Sequence, residues 1–167
     1  MKQKLQTFAL LLVAAGIVFF LYQRWFPNEE KRVRETLLKL ADAASTPDSS
    51  GTLASLAAAD RLRDFFTAEA ELKVEAPGEG EFHAVGRADI LQAALGARNR
   101  YPGLKVQFLD INVTVGVDNQ TATAELTARV TLKGEKDFQV QELKLQLNQE
   151  DRHWRVARAE TVRTLKP

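Results

Sequence analysis

The alternation across residues 121–133 constrains the fold of this chain more than any other stretch. Ala122, Ala124, Leu126, Ala128, Val130 and Leu132 share one phase, and Thr, Glu, Arg and Lys fill the other. Side chains of a strand point alternately to its two faces, so this run has one buried face and one wet face. Its neighbours continue the pattern. Residues 105–117 begin with Val106 and Phe108 on one phase, then switch to Leu109, Ile111, Val113, Val115 and Val117. Such a switch predicts a β-bulge, because one extra residue flips every side chain that follows. Residues 137–148 show a second switch, from Phe138 and Val140 to Leu143, Leu145 and Leu147, and residues 154–165 form a last strand. Asp118-Asn119, Gly134-Glu135-Lys136 and residues 149–152 supply the turns, Asn and Asp tolerating the left-handed backbone.

The first half is built differently. Asn28 is placed to cap a helix over 29–44, with Glu29 and Glu30 where the helix dipole favours negative charge. Val33, Leu37, Leu38, Leu40 and Ala41 or Ala44 fall at helical spacing. Residues 45–51 read as a loop, 52–59 as a short Ala/Leu helix, and 61–66 as a further turn. Ala70, Leu72, Val74 and Ala76 then alternate with charges as a strand. Pro77-Gly78-Glu79-Gly80 turns into a second strand over 81–85, and 88–100 is a helix with the stripe Ile90, Leu91, Ala94 and Leu95. Helices followed by a run of strands predict an α+β fold.

FFTAEAELKVEAPGEGEFHAVGRADILQAAL looks like the strand–turn–strand–helix of the NTF2-like superfamily (nuclear transport factor 2, SnoaL-type cyclases, ketosteroid isomerase). HWRVARAETV is similar to that family's last strand. The resemblance spans residues 29–165. It implies a cone, with a strongly curved, mainly antiparallel sheet wrapped around about three helices and enclosing a pocket. It also implies dimer packing through the outer sheet face, which here carries Thr121, Thr123, Thr127 and Thr131. The isomerase branch sets an Asp base just before a Pro at the end of the first strand. Ala76 holds that position here, which argues against isomerase chemistry.

Residues 5–23 are nineteen residues without a formal charge. As a helix they rise roughly 28 Å, close to the thickness of a bilayer core. Their Leu, Phe, Val and Ile side chains favour insertion by about 3–7 kcal/mol in total. Lys2 and Lys4 precede the run, Arg24 closes it, and Tyr22 and Trp25 sit where interfacial aromatics belong. No small-x-small cleavage site follows. The expectation is an uncleaved signal anchor over 1–26, with one domain over 27–167 on the extracytoplasmic (periplasmic) side of a cytoplasmic membrane. Lys31, Arg32 and Arg34 on the far flank outnumber the N-terminal lysines, so sidedness rests on the short basic head. A membrane span leading straight into such a domain resembles VirB8-like and Mce-associated assembly proteins.

Chemistry is sparse. The chain has no cysteine and a net charge of +1. Residues 1–26 hold three of the cations, leaving −2 on the remainder, without the basic excess of a nucleic-acid binder. His83 and His153 are the only histidines and have no ligand spacing. Gly78 and Gly80 lack the third glycine of a phosphate loop. No metal or cofactor motif is present. The pocket candidates are His83, Tyr101, Asp110, Phe138 and Trp154, with Asp110 entering the pocket only if the first bulge is placed to turn it inward. Arg152, Arg155, Arg158 and Arg163 make an interrupted basic stripe. The leading expectation is a non-catalytic interaction or assembly module beside the bilayer, paired with a protein partner or a second copy. The alternatives are a binding module for a small apolar ligand or lipid, for which Ala122, Ala124 and Ala128 would leave room unless they instead let a helix pack closely, and an enzyme with an unrecognised pocket.

Overall fold

A computed structural model describes residues 28–46, 52–76, 80–134 and 137–162. The apolar run 5–23 lies outside them, as do the expected turns at 77–79 and 135–136 and the end of the chain after 162. Among the described residues no helix is long and apolar enough to cross a membrane.

Three helices and six strands follow in the order α1 (Glu29–Ala44), α2 (Thr52–Arg63), β1 (Phe66–Ala76), β2 (Gly80–Val85), α3 (Gly86–Arg100), β3 (Lys105–Val115), β4 (Thr121–Thr131), β5 (Phe138–Glu150) and β6 (His153–Thr161). The strands form one curved sheet in the order β2-β1-β6-β5-β4-β3. Every pair is antiparallel except β1 with β6, which run parallel. This is the expected α+β architecture.

The α1 helix starts as its sequence dictates. Asn28 Oδ1 accepts the Lys31 amide at 3.2 Å, and Val33, Leu37, Leu40 and Ala41 face the sheet. Burying Leu37 and Leu147 contributes roughly 1.5–3 kcal/mol each. Ala122, Ala124 and Ala128 are buried in the same cluster as Val33, Leu37 and Leu40. They lie in this packed core and are not among the residues lining the large open cavity described below. The α2 helix absorbs the expected separate turn and runs on to Arg63. The β1 strand begins four residues before the alternation at Ala70, because Phe66 pairs with Val156 of β6, whose amide donates to the Phe65 carbonyl at 2.8 Å. Gly86 joins β2 to α3 at φ +80°, where a Cβ would lie 3.4 Å from the Ala68 carbonyl oxygen. That left-handed junction starts α3 two residues earlier than its apolar stripe suggests.

The first bulge is present. The β3–β4 register shifts between Leu109 and Asn112, and Asp110 takes φ +50°. The switch falls one residue later than the pattern implied, so Leu109 stays on the outer face, 41% exposed. The second expected bulge is absent. The β4–β5 register runs unbroken from Thr121↔Asn148 to Thr131↔Phe138. Phe138 and Val140 are therefore on the outer face, about half exposed, and Gln139 and Gln141 take the inner phase of Leu143. The irregularity lies instead between β5 and β6 at Gln146/Leu147, where Ala157 is the extra residue.

Glu29 ties α1 to the sheet. Its Oε2 accepts from Trp154 Nε1 at 2.8 Å and from Gln149 Nε2 at 3.1 Å, and its Oε1 pairs with Arg32 at 2.8 Å. Arg32 also donates to the Arg152 carbonyl at 2.6 Å. Trp154→Phe keeps most of the buried ring and removes one donor to this carboxylate. It is expected to lower unfolding stability by about 1.5–3 kcal/mol, read as a fall in the denaturant midpoint at unchanged slope.

In the β3–β4 turn Asp118 accepts the amides of Gln120 and Thr121 and the Thr121 hydroxyl. These bonds, the Gln120 amide foremost, hold its carboxyl below the ordinary value of 3.8. A depressed carboxylate stabilises above its unfolded pKa, and the contribution is lost as pH falls through the folded value. The Gln120 and Thr121 amide resonances are therefore expected to titrate together at a pH below the ordinary Asp range, and to lose that titration in Asp118→Asn.

Candidate functional site

An open cavity of about 1030 Å³ lies between the C-terminal end of α1, the end of α2, the start of β3 and the end of β4. Phe65, Leu104, Leu132, Ala43 and Ala58 supply an apolar wall, and Lys39, Arg61, Lys105 and Lys133 stand around it with Asp42 and Asp64. Ordinary folding forces put them there. Ser45 ends α1 by donating its amide to Ala41 and Asp42. Its Oγ then accepts the Val106 amide at 3.0 Å, and the Thr46 amide donates to the Leu104 carbonyl at 2.7 Å. The helix terminus is thereby stitched to β3, and Lys39 and Lys105 come to one opening. Phe65 stands in the wall because β1 must start at Phe66 to pair with β6.

Arg98 supports this wall from behind. It is buried on α3 and donates through Nη2 to the Ala43 carbonyl. The last turn of α1 has no basic residue of its own, so Arg98 brings the cation that a helix C-terminus favours. Burial lowers its pKa, yet a guanidinium stays charged. Its Nη1 finds no acceptor among the described residues. Arg98 falls at helical spacing from Leu91, Ala94 and Leu95, and the apolar stripe read from the sequence stopped short of it.

None of the five sequence candidates is among the residues lining the cavity. His83 is exposed on β2, with Nε2 3.4 Å from Glu71 Oε1. Asp110 sits at the bulge but is turned outward, beside a shallow depression shared with Asn112, Glu125 and Glu142. Phe138 is on the outer face under the Arg129 guanidinium, 4.1 Å from the ring centroid. Trp154 is core, 3% exposed. Tyr101 ends α3 next to the opening, with Arg100 at 5.5 Å from its ring. Of the basic stripe, Arg155 pairs with Glu150 at 2.6 Å and Arg158 with Glu160 at 3.3 Å, while Arg163 lies outside the described residues. Among the described residues no three His, Cys, Asp or Glu side chains are grouped to hold a metal. The residues that do converge on the cavity carry no motif. Each stands at or near the end of an element, and only the topology brings them together.

Neither a protein-family model nor a curated protein matches the chain. Solved structures do. An NTF2-like protein with a cystatin-like fold from Novosphingobium aromaticivorans is 21% identical, with 89% of this chain and 86% of that chain covered and a TM-score of 0.59. A candidate aromatic ring hydroxylase from the same organism gives a TM-score of 0.65 at 16% identity, over 85% and 93% of the two chains. A Nostoc punctiforme protein of unknown function with a cystatin-like fold gives 0.60 at 11% identity, over 78% and 86%. What these likenesses share with the chain is the fold: an NTF2-like, cystatin-like α+β cone.

Proposed function

We propose that this chain is a non-catalytic binding module, held beside a bilayer by residues 5–23, that takes a small, largely apolar ligand in the cavity at the C-terminal end of α1. The observation that carries the reading is the cavity itself. Its wall of Phe65, Leu104, Leu132 and two alanines has the apolar character of a ligand pocket, and about 1030 Å³ is large enough for a drug-sized molecule. Ala76 at the isomerase-type base position supports a role without catalysis. The anchor reading rests on the length and apolarity of residues 5–23, and the extracytoplasmic placement on the short basic head before them. Alkaline carbonate extraction is expected to leave the protein in the membrane fraction, and a C-terminal phosphatase fusion to be active. Extraction by carbonate, or an inactive fusion that is active as a cytoplasmic reporter, would refute these two placements in turn.

The cavity is tested with Nile red, a neutral apolar dye, and the full chain in phosphatidylcholine nanodiscs. Fluorescence above that of empty discs is expected, and Ala58→Trp, which fills the space, should remove it while leaving the unfolding midpoint within about 1 kcal/mol. Equal fluorescence from wild type and variant would sink the reading.

A second reading keeps the assembly role and rests on a different observation. Phe138, Val140, Leu109 and Val162 are each at least 40% exposed, and register places Phe138 and Val140 of β5 and Leu109 of β3 on the outer face. A second copy or another protein covering this face would bury them. Val140→Glu is expected to shift the sedimentation coefficient toward that of a monomer; an unchanged value would remove this reading.

A further inference from the structure

We propose that the cavity selects an anionic amphiphile: an apolar chain lying against Phe65, Leu104 and Leu132, with a carboxylate or phosphate head held among Lys39, Arg61, Lys105 and Lys133. The inference rests on the binding reading above and adds the ligand's charge and polarity.

Three observations carry it. The first is the number and origin of the cations. The four come from α1, α2, the start of β3 and the segment after β4, against two lining carboxylates, Asp42 and Asp64. Among the described residues the lining is therefore net positive by two charges, although residues 27–167 together are net negative by two. Concentrating cations against the sign of the whole domain makes a local field that favours an anion.

The second is pairing. Arg32, Arg63, Lys73, Arg87, Arg155 and Arg158 each have a carboxylate within 4.0 Å. Among the described residues no carboxylate lies in ion-pair range of Lys39, Arg61 or Lys105. Three cations with no carboxylate partner among the described residues share one opening, where an incoming head group would meet charge-assisted donors.

The third is the division of the lining. Phe65, Leu104, Leu132, Ala43 and Ala58 line the same cavity as charged groups from the helices, β3 and the segment after β4. A free inorganic anion would gain nothing from Phe65 or Leu132. A neutral hydrocarbon would gain nothing from the lysines. An amphiphile uses both.

Equilibrium dialysis of labelled dodecanoate, dodecyl phosphate and dodecan-1-ol against the full chain in phosphatidylcholine nanodiscs, with empty discs as blank, tests this. Dodecanoate or dodecyl phosphate is expected to bind ~10-fold tighter than dodecanol, with the advantage shrinking as salt rises. The combined variant Lys39→Gln, Arg61→Gln, Lys105→Gln and Lys133→Gln should lose that advantage and keep dodecanol binding, which shows that it is folded. Inorganic phosphate alone should compete weakly. Discs containing phosphatidylglycerol separate the two sources of the head group: they compete if the cavity draws on bilayer lipid and leave binding unchanged if it draws on a free amphiphile. Equal affinity for dodecanoate and dodecanol would overturn the charge selection while sparing the binding module. No binding of any of the three would overturn both.

Discussion

The carboxylate of Glu29 holds the helical and sheet halves of this fold in one geometry. It is only 14% exposed, and it gathers an indole N–H, a side-chain amide and a guanidinium from three directions. A buried carboxylate without such partners would cost several kcal/mol, so the three donors are a condition of its position. Trp154 and Gln149 lie at the turn between β5 and β6, and Arg32 adds a bond to the Arg152 carbonyl in that same turn. The first turn of α1 is thus fixed to the tip of the sheet. With that end fixed, Val33, Leu37 and Leu40 pack into the shared core, with α1 lying chiefly along β3. The length of α1 then decides where Ser45 reaches β3, and so where the cavity opens.

The alternation patterns made most of this legible. The α+β order, the Asn28 cap, the Asp118-Asn119 turn and the β3 bulge all follow from local chemistry that tertiary contacts do not override. Failures occurred where one pattern admits two physical causes. In β3 the apolar phase changes because the backbone inserts a residue. In β5 the same-looking change occurs on an unbroken ladder, because Phe138 and Val140 belong to the outer face. Composition cannot separate a bulge from an exposed apolar pair. The register of the partner strand does.

The site was less legible than the fold, and for a definable reason. Sequence reasoning singles out residues that stand out by type or by interrupting a pattern, hence His83, Tyr101, Asp110, Phe138 and Trp154. The cavity uses common ones, and lysines at helix and strand ends read as ordinary solubilising charge. Their convergence depends on long-range stitching by Ser45 and Thr46 to Leu104 and Val106, which no periodicity encodes. Arg98 was hidden for a related reason. A cation late in a helix usually serves that helix's own C-terminus, whereas this one serves α1.

The polarity of α1 joins the two ends of the molecule. Its 16 residues span about 24 Å, with the Glu29 cluster at one end and the cavity at the other. A pull at the N-terminal end acts on a helix whose first turn is bonded to the sheet and whose last turn is bonded to β3 and Arg98. Such a helix moves with the sheet as one body, so displacement at residue 28 is not absorbed by local unwinding before it reaches Ser45.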